Sequence, residues 1–234
     1  MNTALWFSGG KDSMACLLLH EHELDSIDVV WANTGKYFPE AIAFVEAAKE
    51  RCPRWHEVRT DRDAQWKSNG LPSDLVPIDH TALGQLVARK KSVMVQSYLG
   101  CCWENISFPL IAKTKELGAK RVIRGQRTEE AHRVPAGVHE GIEFVHPIAD
   151  WTAEQVLSYL REKLGELPDH FALEHSSMDC FDCTAFAAHS LDRAKYMRER
   201  HPALYSEYRS RIRELTASFS APLRAYQAIE AIND

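Results

Sequence analysis

One six-residue stretch constrains this chain more than any other: Ser8-Gly9-Gly10-Lys11-Asp12-Ser13. Leu5, Trp6 and Phe7 before it read as the end of a short buried strand. Met14-Ala15-Cys16-Leu17-Leu18-Leu19 after it reads as the first turns of a helix packed on a sheet. Glycines between strand and helix let backbone N–H groups turn toward one point, where a helix N-terminus adds the positive end of its dipole. Lys11 brings a full positive charge, and Ser8 and Ser13 bring hydroxyl donors. The combination predicts a pocket for an anion, best matched by a phosphate chain, rather than a turn that only joins two elements. The spacing of glycine, lysine and hydroxyl differs from that of a Walker A loop.

Strand and helix patterns go on alternating. Asp28-Val29-Val30-Trp31-Ala32 predicts a second strand, followed by Asn33-Thr34-Gly35-Lys36, a helix from Pro39 to about Arg51 and a third strand from Trp55 to Val58. This order argues for an α/β fold with a doubly wound, mostly parallel sheet flanked by helices. Ligands of such sheets sit beyond the carboxyl ends of the strands, where Ser8–Ser13 and Asn33–Lys36 would both lie. From Thr60 to His80 the pattern is irregular, broken by Gly70, Pro72 and Pro77. Thr81 to Tyr98 predicts a helix whose Arg89-Lys90-Lys91 cluster reads as a solvated face. Asn105 to Leu117 predicts another, closed by Gly118.

Arg121-Val122-Ile123 then predicts a strand running into Arg124-Gly125-Gln126-Arg127. Arg124, Arg127 and Arg133 crowd its end with Glu129, Glu130 and His132. Arginine forks suit phosphate or sulfate oxygens, although a salt-bridged surface loop has the same composition. Thr152 and Gln155 form a capping box that opens a helix to about Leu164, with Asp150 just before it as a candidate ligand. Helices from Leu191 to Arg200 and from about Ala203 to Thr216 form a C-terminal extension whose arginines read as solvated or facing a second subunit. The expected division is a nucleotide-binding α/β domain over residues 1–165 and a CxxC loop with helical extension over 166–234.

The chain has 234 residues and a net charge of −5, which gives no global attraction to nucleic acid. No apolar run approaches membrane-spanning length and the N-terminus lacks the shape of a signal peptide, so a cytoplasmic protein without a membrane partner is expected. Six cysteines in such a chain point to metal or redox chemistry. Cys101-Cys102 is a tandem pair, and Cys180-Phe181-Asp182-Cys183 is a C-x-x-C, a natural half-site for a metal. Four thiolates satisfy zinc or a [4Fe–4S] cluster. Adjacent cysteines suit tetrahedral zinc less well, because their side chains diverge, whereas a cube offers separate iron corners. Cys16 and Cys52 fall in helix patterns and read as core or surface thiols.

SGGKDS close to the N-terminus resembles the PP-loop of the adenine-nucleotide alpha-hydrolase superfamily, which includes ATP pyrophosphatases and PAPS reductases. The tandem cysteines followed by C-x-x-C resemble the cluster signature of assimilatory sulfonucleotide reductases. The likeness runs from about Leu5 to Phe186. It implies that Ser8, Gly9, Gly10, Lys11, Asp12 and Ser13 hold the phosphates of an adenine nucleotide, ATP or else PAPS or APS. Lys11 would stabilise leaving charge and Asp12 would help hold Mg²⁺. Asn33, Thr34 and Gly35 would meet the adenosine; Arg124, Gly125, Gln126 and Arg127 would meet phosphate or substrate, with Lys11, Asp12 and Arg127 the catalytic set. Cys101, Cys102, Cys180 and Cys183 would carry the [4Fe–4S] cluster.

Two departures shape the expected function. Sulfonucleotide reductases carry a nucleophilic cysteine in a C-terminal tail, and no cysteine follows Cys183 here; their loop is usually degenerate, whereas SGGKDS is intact. The leading expectation is therefore ATP cleavage between the α and β phosphates, with sulfur passed at the cluster to an acceptor such as tRNA or DNA. The alternative is a PAPS or APS reductase making sulfite, its thiol coming from Cys16, Cys52 or a donor such as thioredoxin. A third is a non-catalytic nucleotide-binding redox sensor. A homo-oligomer is expected in each case.

Overall fold

A computed structural model describes residues 2–89, 92–130, 135–172 and 180–232. In chain order the elements are β1 (Thr3–Phe7), α1 (Lys11–Leu19), β2 (Ile27–Asn33), α2 (Pro39–Lys49), β3 (Trp55–Arg59), α3 (Arg62–Asn69), β4 (Leu71–Ser73), α4 (Ala82–Ala88), β5 (Val95–Ser97), α5 (Tyr98–Cys102), α6 (Phe108–Glu116), β6 (Arg121–Arg124), β7 (Gly137–His139), β8 (Ile142–Val145), α7 (Ala153–Leu164), α8 (Leu191–Arg200) and α9 (Pro202–Glu230). They group into two units, one of Met1–Thr60 with Asn105–Phe181 and one of Asp61–Glu104 with Asp182–Asp234. The boundary expected after residue 165 falls inside the first unit, just beyond α7.

The first unit is built on a six-stranded sheet of order β3-β2-β1-β6-β8-β7, parallel except for β7. Side chains alternate between the two faces of each strand. Ala4, Trp6, Val30, Ala32, Val122, Ile142 and Phe144 form one buried face with Leu110 of α6. The Trp6 indole is held there by edge-on contact with Phe144 and by donation to Thr114 Oγ1 at 2.9 Å. Leu5, Phe7, Val29 and Trp31 face the other way and are equally buried, on the side where α1 meets β1, β6 and α7. Both faces are covered, which is why these strands read as continuous apolar runs.

From β1 the chain winds outward through β2 and β3, then returns to place β6 on the opposite flank of β1, followed by β8. The winding direction reverses between β1 and β6, and this switch point leaves a crevice at the strands' carboxyl ends. The mostly parallel sheet flanked by helices is the architecture that the strand–helix alternation predicts.

The second unit carries a two-stranded parallel pair, β4 with β5, together with α3, α4, α5, α8 and α9. Its elements depart most from expectation. The stretch read as irregular from residue 60 contains α3, opened by the Asp61 side chain accepting from Ala64 N at 3.0 Å. The helix expected over Thr81–Tyr98 is only α4: Arg89 takes a left-handed φ of 50° and ends it, and β5 follows. Lys90 and Lys91 lie outside the described residues. Helix α9 continues well past Thr216, with Pro222 inside it. Among the described residues no helix is long and apolar enough to cross a membrane.

The capping box at the start of α7 is present, with Thr152 Oγ1 accepting from Gln155 N at 3.2 Å and Gln155 Oε1 accepting from Thr152 N at 2.7 Å. Replacing Thr152→Ala should cost about 1 kcal/mol of stability. In urea titration this appears as a lower midpoint with an unchanged slope; a changed slope would mean that α7 does not unfold with the rest of its unit.

Candidate functional site

The SGGKDS loop leaves β1 and enters α1. Gly9 adopts φ +80°, and a Cβ there would stand 2.9 Å from Val45 Cγ2, so the position calls for glycine on conformational and steric grounds. The Ser13 hydroxyl donates to Gly10 O at 2.9 Å, accepts from Ser8 N at 3.2 Å and lies 3.1 Å from Ser8 Oγ. These bonds close the loop on itself. Gly10, at the helix N-cap, supplies no capping side chain, so an anion can take that place.

The second wall comes from the end of β6, whose Arg124 pairs in register with Trp6. Gly125 lies so close to α1 that a Cβ would stand 2.4 Å from the Asp12 carbonyl carbon and oxygen. The two loops are thus in backbone contact although they are far apart in sequence. Arg127, buried, donates to Asp12 Oδ1 at 2.8 Å and to Glu129 Oε2 at 2.7 Å, with Glu130 3.9 Å away. Lys11 Nζ stands 3.6 Å from Asp12 Oδ2. Burial raises the Glu130 carboxyl above its ordinary value, and the charge of Asp12 adds to this. Gln126 is buried beside them. Arg133 and His132 lie outside the described residues.

Arg124 differs from its neighbours. Burial pulls its guanidinium below its ordinary pKa; the group lies 5.1 Å from the centre of the Trp6 ring, and its Nη1 is buried with no hydrogen-bond partner among the described residues. A buried donor left open costs free energy that an incoming anion would recover. A third segment faces the same edge of the sheet. Asn33 ends β2, donates to Glu57 Oε1 at 2.7 Å and accepts from Gly35 N at 2.8 Å, which fixes the turn through Thr34 and Gly35. Thr34 Oγ1 lies 3.4 Å from Cys180 Sγ, and Phe181 N donates to Lys36 O. Within the first unit the leading cysteine of the C-x-x-C therefore sits against the predicted nucleoside loop. Asp150 is exposed.

The other three predicted ligand cysteines, Cys101, Cys102 and Cys183, belong to the second unit. Among the described residues no group of three His, Cys, Asp or Glu side chains gathers as a metal site. What the second unit shows is the chemistry around its thiols. Cys101 is buried and its sulfur accepts from Trp66 Nε1–H at 3.2 Å. Cys183 feels the charge of Cys101, though burial dominates and pushes its thiol up to about 11. Asp182, wholly buried, accepts from Arg62 Nη1 at 2.5 Å and Nη2 at 2.8 Å and from Arg211 Nη1. Burial alone would raise the Asp182 carboxyl, but the hydrogen bonds and charges of these arginines hold it below the usual range. Arg193 donates to Cys183 O at 2.9 Å. The guanidinium charge is matched: Arg62 Nη2 also lies 3.4 Å from Asp63 Oδ1, and Arg211 Nη2 donates to Glu207 Oε1 at 2.5 Å.

Residues 2–186 match the phosphoadenosine phosphosulfate reductase domain family. The chain belongs to that family. It is 26% identical over 162 residues to the adenosine 5'-phosphosulfate reductase of Deinococcus radiodurans, an alignment covering 67% of this chain. The alignment spans 56% of that relative's length. In structure it is similar to a PAPS reductase from Candida auris in a phosphate complex, with a TM-score of 0.52 and 18% identity over 76% of this chain and 80% of that one. That likeness carries the PAPS reductase fold, while the family assignment rests on the domain match.

Arg62, Trp66, Arg193 and Arg211 were not singled out by sequence, where the C-terminal arginines read as a solvated or subunit-facing surface. Arg193 and Arg211 are instead tied to the C-x-x-C segment. A charge run seen without its buried partner carries no signal of this kind.

Replacing Arg124→Ala should weaken binding of phosphate- or sulfate-bearing adenine nucleotides about 10- to 100-fold, as expected for a charged hydrogen bond of about 1.5–3 kcal/mol. Calorimetric titration with APS, PAPS and ATP measures it; an unchanged affinity for all three would remove Arg124 from the site.

Proposed function

We propose that this protein is a sulfonucleotide reductase of the PAPS reductase family. It binds an adenylyl sulfate, APS or PAPS, at the switch point of its sheet, and an external dithiol such as thioredoxin takes the sulfur through to sulfite. The observation that carries this reading is the open, buried Nη1 of Arg124 beside the uncapped SGGKDS loop. It joins a family match that covers most of the chain.

Lys11, Ser8 and Ser13 would receive the nucleotide's phosphate, and Arg124 the sulfate or phosphate oxygens that face β6. Asn33, Thr34 and Gly35 would hold the nucleoside. A thiolate attacks the sulfate sulfur, the S–O bond to the nucleotide phosphate breaks, and AMP or its 3'-phosphate leaves with the electron pair. The donor's second thiolate then attacks the donor's own sulfur in that thiosulfonate; the S–SO3 bond breaks, sulfite leaves with the electron pair and the donor is left as a disulfide.

The attacking thiolate is supplied by the donor. Cys16 and Cys52 are both buried, and burial pushes their thiols up to about 12 and about 11. Neither presents a thiolate near neutral pH. By their likeness to the cluster signature, Cys101, Cys102, Cys180 and Cys183 are the residues that would hold a [4Fe–4S] centre.

Asp12 bears on the competing ATP reading with transfer to tRNA or DNA. Its carboxylate is already engaged by Arg127 at 2.8 Å and Lys11 at 3.6 Å, so a Mg²⁺ ion would have to displace both. The relatives favour the reductase reading as well.

The deciding assay supplies anaerobically purified protein with APS, PAPS or ATP·Mg²⁺ and a reduced dithiol protein. Sulfite should form from an adenylyl sulfate in step with the released nucleotide and the oxidised donor. Pyrophosphate from ATP without sulfite from either sulfonucleotide would sink the proposal.

A further inference from the structure

We propose that two copies of this chain associate, each laying the last turns of its α9 on the outer face of its partner's α4. The inference stands apart from the nucleotide site and from the cysteines. It rests on two apolar surfaces of the second unit that the chain itself leaves uncovered.

The first surface is α4. Leu83, Leu86 and Val87 are spaced three and four residues apart, so they share one face of the helix. They are 70%, 75% and 76% exposed, and Ile78, on whose backbone α4 packs, is 79% exposed. The segment beneath them is tightly bonded. A Cβ on the buried Gly84 would stand 1.8 Å from Ile78 O, the Thr81 hydroxyl accepts from Gly84 N at 3.0 Å, and Gln85 Nε2 donates to Ser92 O at 2.8 Å. An ordered helix that turns several large apolar side chains to water marks an interaction surface.

The second surface is the far end of α9. Tyr208 and Leu215 are buried seven residues apart, an interval that keeps to one side of a helix. Carried on, it brings Pro222 and then Ile229, which is 66% exposed, with Tyr226 between them at 74%. The buried face of α9 thus continues past the point where packing stops. Leu223, Tyr226 and Ile229 are left as an apolar stripe, with Tyr226 as an aromatic anchor of the kind that dominates interface cores.

The two surfaces also complement each other in charge. Helix α4 ends at the exposed Arg89, followed in sequence by Lys90 and Lys91, and the stripe on α9 ends at the exposed Glu230. Arg224, two residues from Tyr226, falls on the opposite side of α9 from the stripe. Laying α9 on α4 sets a carboxylate against a basic end, whereas each α4 carries the same basic end as any other. Each copy owns one stripe and one α4 face, so a twofold arrangement makes the contact twice.

Sedimentation equilibrium on the full chain tests this, with wild type, Leu86→Glu and Tyr226→Glu followed from about 1 to about 200 µM. Both substituted side chains are exposed, so circular dichroism should show an unchanged fold. Wild type is expected to dimerise, and each variant to associate about 30-fold more weakly or worse. An equimolar mixture of the two variants should recover part of the association, because the α9 stripe of one and the α4 face of the other are both intact. Association retained by either variant alone would mean that one surface pairs with itself, and would overturn the proposal. A mixture no more associated than its components would overturn it too. So would a wild type that stays monomeric throughout the range, which would leave both faces to a different protein.

Discussion

The site depends on the parallel pairing of β1 with β6. Their register sets Trp6 beside Arg124, so both strands end at the same level, and the loop that follows each must share one crevice. The consequence is visible at Gly125, where the backbone presses on Asp12 with no room for a side chain. Because the sheet winds away from this point in both directions, no crossover connection lies above it. Charge in the crevice is mostly matched: Arg127 and Lys11 are balanced by Asp12, Glu129 and Glu130. An arriving anion would therefore exchange places with carboxylates at those cations, whereas at Arg124 it would fill an open donor. This asymmetry makes Arg124 the residue at which anion binding gains most.

In the second unit the dominant constraint is Asp182. A wholly buried carboxylate between two arginines is expensive to desolvate and is weak evidence of added stability. Removing either side would nonetheless cost about 3–5 kcal/mol, because the remaining charge would be stranded. What the arrangement does supply is definition. Arg62 ties α3 to the residue before Cys183, Thr184 Oγ1 donates to Pro72 O at 2.6 Å, and Asp74 accepts from the backbone N–H groups of Phe186 and Ala187. The segment after the C-x-x-C is thereby bonded to the β4 region at several points.

Much of the first unit was legible in sequence because its strands are buried on both faces. β1, β2 and the Val122–Ile123 centre of β6 were readable as apolar runs, and the SGGKDS and Arg124–Arg127 loops followed from where those runs stop; β3 is a half-buried edge strand without such a run. Thr152 and Gln155 announced α7 through a local bond that needs no tertiary context. The second unit was less legible for a physical reason. Helix α3 buries an arginine and a tryptophan within otherwise polar residues, so it has no apolar periodicity; its identity depends on Asp182, a partner distant in sequence. The left-handed turn at Arg89 breaks a pattern that composition would continue. A unit assembled from two separated segments has no boundary in a linear reading, which is why a cut after residue 165 looked natural.

The thiol question brings the two halves of the argument together. On the proposed reductase reading a thiolate must reach the sulfate sulfur, and Cys16 and Cys52 are held neutral by burial, which pushes their thiols up to about 12 and about 11. At pH 7 that leaves about one part in 10⁴ or fewer as thiolate, too little and too deeply buried to serve as nucleophile. Burial also pushes the Cys183 thiol up to about 11, while the sulfur of Cys101 accepts from Trp66 Nε1–H at 3.2 Å. On the proposed reductase reading the reducing equivalents would come from a separate dithiol, and the protein's contribution would be to hold the sulfonucleotide with its sulfur exposed to it.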